Sequence, residues 1–325
     1  MDDGLGGMDE WVVAPFLTAA AAEFLAVGLA LRLDKCRAWS PHWRTPADLP
    51  TAITRRGVRA STDGIIILSA PIGTPAFEDR TLQAIVAGHQ RLLDALVAFS
   101  SDSWDFAVQG ANLLLRYCGS PRLLYWCRLL APSPSLLATA RAHDDAKMAA
   151  FERISRAGAL PLSARRQVQL PIRLGGFGLV STARVASAAY LGSVAATVGD
   201  VWDRFRGHSW MPGTEAALLA LPWLAQAASA RTDLLVSIPS AAVPPVSQFI
   251  ARPHARLQHR LSEALAKQDF TVLLESFPVG SRERARLLAC QGPLSSGWLS
   301  AIPGQSSGVN RKCLNNYAYR MATAV

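Results

Sequence analysis

Apolar positions alternate in short runs only before residue 76; after it they recur at helical spacing almost throughout. Residues 11–30 are Ala-rich, with Phe16, Glu23, Phe24 and Val27 in helical register, which predicts a helix closed at Gly28. Leu31–Trp39 is expected to run extended until Ser40 and Pro41 interrupt it. Gly57–Ala60 and Ile65–Ser69 read as strands joined by a turn at Thr62, Asp63 and Gly64, and Pro71–Pro75 closes this segment.

The second pattern is helical. Thr81–Phe99 puts Leu82, Ile85, Val86, Leu92, Leu93 and Leu96 on one broad stripe. Asp102 and Asp105 are expected to cap a helix running through Tyr117, and Ser120–Pro121 and Ser133–Pro134 mark two further starts. The second of these opens a long helix to about Ile154. Residues 161–180, with Pro161, Pro171 and Gly175–Gly176–Phe177–Gly178, read as a hinge before a helix at Thr182–Val198. Trp210–Ser247 predicts short helices broken by prolines. Pro253–Phe270 and Ser281–Cys290 are helical again, and the pattern fades after Gly304.

The expected fold class is therefore mainly α, with a small α/β segment at residues 1–76, a helical region at 77–160 and a further helical region at 161–325. The chain has 325 residues, half of them apolar and 18% charged, which excludes a disordered protein and leaves room for a substantial core. Its formal charge of +9 is unevenly spread. Residues 1–80 carry 8 basic and 10 acidic groups, whereas residues 81–325 carry 25 and 14. The basic groups are nearly all arginine, the side chain suited to bidentate phosphate contacts. GC-rich coding sequence would inflate Arg and Ala in the same way, and both explanations stay open.

Residues 11–31 are apolar enough to raise a membrane span. Glu23 at the centre, Pro15 and the Ala-rich composition favour a helix buried in a soluble core instead. Met1 is followed by Asp2, Asp3, Asp9 and Glu10 rather than by a basic segment, so no signal peptide is expected. Cys36, Cys118, Cys127, Cys290 and Cys313 are odd in number and lack CxxC spacing; they predict unpaired thiols in a reducing intracellular compartment, nucleus or cytoplasm, without structural zinc.

Five segments, in order, carry a family resemblance. They are Asp2–Asp3 followed by a helix of about twenty residues; GLALRLDKCRAW (Gly28–Trp39) with GIIILSAPIG (Gly64–Gly73); LLLRYCGSPRLLYWCRLLAPS (Leu113–Ser133); QLPIRLGGFGLVSTARVASAAYLGS (Gln169–Ser193); and RARLLACQGPLSSGWLSAIP (Arg284–Pro303). In this succession the chain resembles the C-terminal part of LINE-like (non-LTR) retrotransposon reverse transcriptases, from the Tyr-x-Asp-Asp hairpin onward. The resemblance implies a palm remnant at 1–76, a thumb-like region at 77–160, and Asp2 and Asp3 as the catalytic, Mg²⁺-binding pair. Two-metal nucleotide transfer needs a further carboxylate wall. In the family that wall and the fingers precede this pair, so the resemblance implies a truncated RNA-directed DNA polymerase that is inactive alone, with an N-terminal reverse-transcriptase half as its missing partner. The chain departs from the family at Asp34, where Asn is usual, at Ser69, where Gly is usual, and in lacking a Cys/His knuckle near its end.

Arg116, Arg122 and Arg128, close to Tyr117, Tyr125 and Trp126, form the candidate nucleic-acid contact, for weak and non-specific binding of RNA or RNA–DNA hybrid. Ordinary surface arginines explain them equally. Gly175–Gly178 ahead of Ser181 suits a phosphate at a helix N-terminus or, without Gly-x-Gly-x-x-Gly spacing, a structural turn. His143–Asp144–Asp145 falls within a helix, where successive residues diverge, and Gly207–His208–Ser209 is no nucleophile elbow. The alternatives to a nucleic-acid-binding remnant are a non-catalytic helical scaffold or a decayed reading frame without selected function.

Overall fold

The computed structural model describes residues 10–101, 107–209, 211–251, 254–292 and 299. The chain is mainly helical with a little sheet near its N-terminus, and it divides into two compact units, Met1–Leu82 and Gln83–Val325.

In the first unit, α1 spans Glu10–Ala26 and carries Pro15 inside it. A 3-10 turn at Leu33–Lys35 precedes β1 (Arg37–Trp39), so only the end of the expected extended run is strand. The short α2 (Thr51–Thr54) leads to β2 (Arg59–Ser61), which pairs in parallel with β1, Arg37 opposite Arg59. β3 (Gly64–Ile67) and β4 (Ala70–Gly73) form a hairpin, so the Pro71–Pro75 stretch enters a strand where a closing loop was expected. Its two-residue turn holds Leu68 and Ser69 at φ 48° and 66°. Two left-handed residues are what a tight hairpin needs to match strand twist, and side chains make that conformation costly.

Burial corrects one expectation here. The Ala-rich composition of α1 predicts a core helix, yet Trp11 is 78% exposed and Leu25 72%, with Phe16 and Phe24 also exposed. Only Val13, Ala14 and Leu17 pack against the unit's small core of Trp43, Ile53 and Val58. An all-round apolar helix signals burial by composition, but among the described residues a core of Trp43, Ile53 and Val58 has too little surface to cover it. Among the described residues, no helix is long and apolar enough to cross a membrane.

The second unit is built on helices. α3 (Pro75–Ser100) starts a turn and a half before its stripe and crosses the unit boundary. α4 (Ala107–Leu114) runs into a π-helical turn at Leu115–Gly119, closed by the Ser120 amide donating to the Leu115 carbonyl at 2.8 Å. Asp102 and Asp105 lie outside the described residues. Ser120–Pro121 does not open the next helix, because Ser120 closes the π turn with helical dihedrals; α5 begins only at Leu124 and ends at Leu129. α6 (Pro134–Ser155) starts as its sequence predicts, with the Ser133 hydroxyl accepting from the Leu136 amide and Pro134 in the first turn.

The expected hinge contains a helix of its own, α7 (Leu162–Gln169), before the glycine loop. The long α8 (Thr182–Phe205) follows, then α9 (Glu215–Leu219), α10 (Pro222–Leu235), α11 (Gln248–Ala251), α12 (Leu257–Glu275) and α13 (Arg282–Ala289). α8 is the hub, packing against α5, α6, α10, α11 and α12. Its small residues permit this. A Cβ at Gly192 would fall 2.5 Å from that of Gln258, so α12 can approach α8 only where a side chain is missing. A second cluster joins Leu93, Leu96, Val108, Leu115, Phe151 and Phe177 from α3, α4, the π turn, α6 and the glycine loop.

Candidate nucleic-acid interface

Asp2 and Asp3 lie outside the described residues. Among those that are described, no group of three or more His, Cys, Asp or Glu is placed to hold a metal ion.

The three arginines fall on three different local structures. Arg116 is on the π turn, Arg122 in the turn after it and Arg128 in the last turn of α5. Arg116 is half-buried. Its guanidinium lies 4.1 Å over the Tyr117 ring, meets the Tyr117 hydroxyl and donates to the Leu299 carbonyl at 3.3 Å. Burial lowers its pKa from the ordinary guanidinium value, and it remains a cation. Its stem rests on the glycine loop: a Cβ at Gly178, whose φ is +74°, would come 3.0 Å from Arg116 Cδ. Arg128 Nε donates to Gln258 Oε1 at 2.8 Å, tying α5 to α12. Arg122 is exposed and makes no hydrogen bond or ion pair with a described residue. Of the aromatic neighbours, Tyr117 and Tyr125 are exposed, and Tyr125 packs edge-on to Trp126 at 5.5 Å. Among the described residues, Arg122 is left without a partner beside the exposed rings of Tyr117 and Tyr125, while the guanidinium groups of Arg116 and Arg128 bind the protein itself.

That base is a buried polar network that periodicity did not reveal. Lys147 and Asp144, three residues apart on α6, form an ion pair at 2.8 Å with both side chains almost fully buried. The Lys147 ammonium also donates to the Val180 carbonyl at 2.9 Å and to Thr182 Oγ1 at 3.3 Å. With the Ser120 hydroxyl also accepting at 3.5 Å, four acceptors surround its three N–H donors and keep it charged, although burial pulls its pKa down against the attraction of Asp144. The Asp144 carboxylate accepts from the Thr182 amide at 2.8 Å, the Ala183 amide at 3.1 Å and the Ser181 hydroxyl at 2.6 Å. Burial pushes Asp144 up, but Lys147 and these donors together hold it below the usual carboxylate range. The first turn of α8 is therefore already bound to an anion, the chain's own Asp144. This resolves the Gly175–Ser181 segment as a structural turn rather than a phosphate cradle. Asp145, one residue on, points to solvent, as helix geometry requires. The i,i+3 Asp–Lys spacing was the one available signal, and it looks the same on a solvated face.

Two imidazoles complete the base. His89 of α3 and His143 of α6 lie 5.2 Å apart, and His89 is 6.0 Å from Trp126. Burial lowers both pKa values to about 4, with Arg122 adding to the effect at His89 and Lys147 at His143. His143 is wholly buried beside the Gly119 carbonyl, but neither ring nitrogen reaches hydrogen-bond geometry. Cys127, also buried here, has its thiol pushed up to about 12 by burial, so it is neither a nucleophile nor a ready redox group. Among the described residues, none of Cys36, Cys118, Cys127 and Cys290 is joined in a disulfide. Compared with known proteins, the chain matches no protein-family model, no curated protein and no solved structure.

Proposed function

We propose that this chain is the C-terminal portion of a LINE-like reverse transcriptase, a palm remnant followed by a thumb-like helical region, retaining weak and sequence-tolerant binding of RNA or RNA–DNA hybrid. The order of its five family-like segments carries the reading. The φ of +66° at Ser69 supports it independently, because the family places Gly at that position and a left-handed turn is what Gly serves. In the parent enzymes Mg²⁺ supplies charge stabilisation of the attacking and leaving oxygens; here Asp2 and Asp3 would hold it on one side only. These 325 residues alone are therefore expected not to extend a primer on RNA. Arg122 is the best phosphate ligand on the interface, with Tyr117 and Tyr125 as stacking surfaces.

A non-catalytic scaffold is the second reading. One observation favours it: Arg116 and Arg128 are engaged with Tyr117, Leu299 and Gln258. Salt dependence separates the two. Binding of an RNA–DNA hybrid should weaken steeply between about 50 and 200 mM salt, and Arg122→Glu should flatten the log–log slope by about one unit. Arg282→Glu, outside the interface, should change it less. Affinity that ignores salt, or none at about 50 mM, would give the scaffold reading the lead.

A further inference from the structure

A cavity of about 490 Å³ lies between the α7–α8 connection and α12, remote in sequence from the three arginines of the interface. Its size falls in the range of small-molecule sites, roughly 300–1,000 Å³. Apolar side chains line much of it, among them Leu170, Val180, Val185, Leu265 and Val272.

Charge decides what such a cavity can hold. Three guanidinium groups, Arg166, Arg173 and Arg184, and the His259 imidazole line it, against two carboxylates, Glu263 and Asp269. The carboxylates are already engaged. Asp269 receives Arg184 through both oxygens, with Nε at 3.0 and 3.1 Å and Nη2 at 2.8 Å, while Arg184 Nη1 donates to Ser237 at 2.8 Å. Glu263 is shared between Arg173 and Lys267, each at 3.4 Å, and His259 at 4.0 Å. Arg166 is exposed and makes no hydrogen bond or ion pair with any described residue. Positive charge therefore remains at the rim, with only a shared carboxylate near Arg173. A cationic ligand would find no unengaged carboxylate, and a neutral one would leave Arg166 unmatched.

We infer that this cavity binds a small amphipathic anion, an apolar body against Val180, Val185 and Leu265 carrying a carboxylate or phosphate that meets Arg166 and Arg173. The inference does not depend on the nucleic-acid reading. Octanoate, 1-octanol and octylammonium share one tail and differ in head charge, so they form the test, titrated into the full chain at low salt by calorimetry. Octanoate should saturate a single site about tenfold more tightly than octanol, a difference of about 1.4 kcal/mol, with octylammonium weakest. Arg166→Glu with Arg173→Glu should remove the preference for octanoate and leave octanol binding in place; both side chains are solvent-accessible, so the fold should tolerate the change. Ser262→Trp, projecting bulk from the cavity wall, should block both ligands. Equal affinity for octanoate and octylammonium, octanoate binding indifferent to the double reversal or to Ser262→Trp, or no saturable binding would each overturn the proposal.

Discussion

His89 and His143 touch inside the helical unit as neutral bases, and Lys147, Arg122 and Asp144 are the charged groups facing them. Their folded pKa of about 4 lies below the value of 6.5 for a free imidazole. The unfolded chain therefore takes up protons that the folded one refuses as pH falls. Their contribution to stability is fully present above about pH 6.5 and is lost progressively between 6.5 and 4. For His143 alone the loss from pH 7 to pH 5 should be on the order of 1–2 kcal/mol. Urea midpoints measured at several pH values should show that decline in the wild type and a shallower one in His143→Leu. Equal declines would mean that His143 does not control it. None of this was legible beforehand. A His–Asp–Asp triplet in a helix reads as a polar face, and whether one of its members is buried depends on α3 and α8, both far off in sequence.

Elements were legible where their signals are local. Ser133, Ser181 and Ser281 each sit one residue before a helix and accept from the amide three residues on, at 3.1, 3.2 and 3.2 Å. That chemistry is complete within four residues of sequence, so it can be read directly. Ser120–Pro121 carries the same letters as Ser133–Pro134 and fails, because Ser120 sits in the π turn with helical dihedrals, whereas a capping residue is extended as Ser133 is. α7 was missed because prolines and glycines flank a helix of eight residues closely enough to pass for a loop. The β3–β4 turn was missed because Leu68–Ser69 lacks the Asn-Gly signature its geometry calls for. Ser69→Gly should therefore stabilise the hairpin by roughly 1 kcal/mol. The check is amide-detected urea unfolding at β3 and β4, where an unchanged or lower midpoint would contradict the strain at this turn.

At the scale of the whole molecule, the two units differ in how much holds them. The first rests on Trp43, Ile53 and Val58 and on paired strands with no third neighbour among the described residues; the second surrounds α8 with five helices. Two-stranded pairs are marginal in water, and opening is easiest where buried contacts are few. Amides of β1–β4 should exchange much faster than those at the centre of α8. Protection as strong in the strands as in α8 would show that the first unit is held by more than its own core. The Asp144 cap has a consequence for the order of assembly. A helix normally finds its cap in the residues just before it, but the first turn of α8 also needs a carboxylate from α6, thirty-seven residues earlier than Ser181. Until α6 docks, the Thr182 and Ala183 amides lack that partner, and until α8 arrives, Lys147 lacks two of its acceptors. Each helix matures only in the other's presence, so the chain through the glycine loop must close before either is complete.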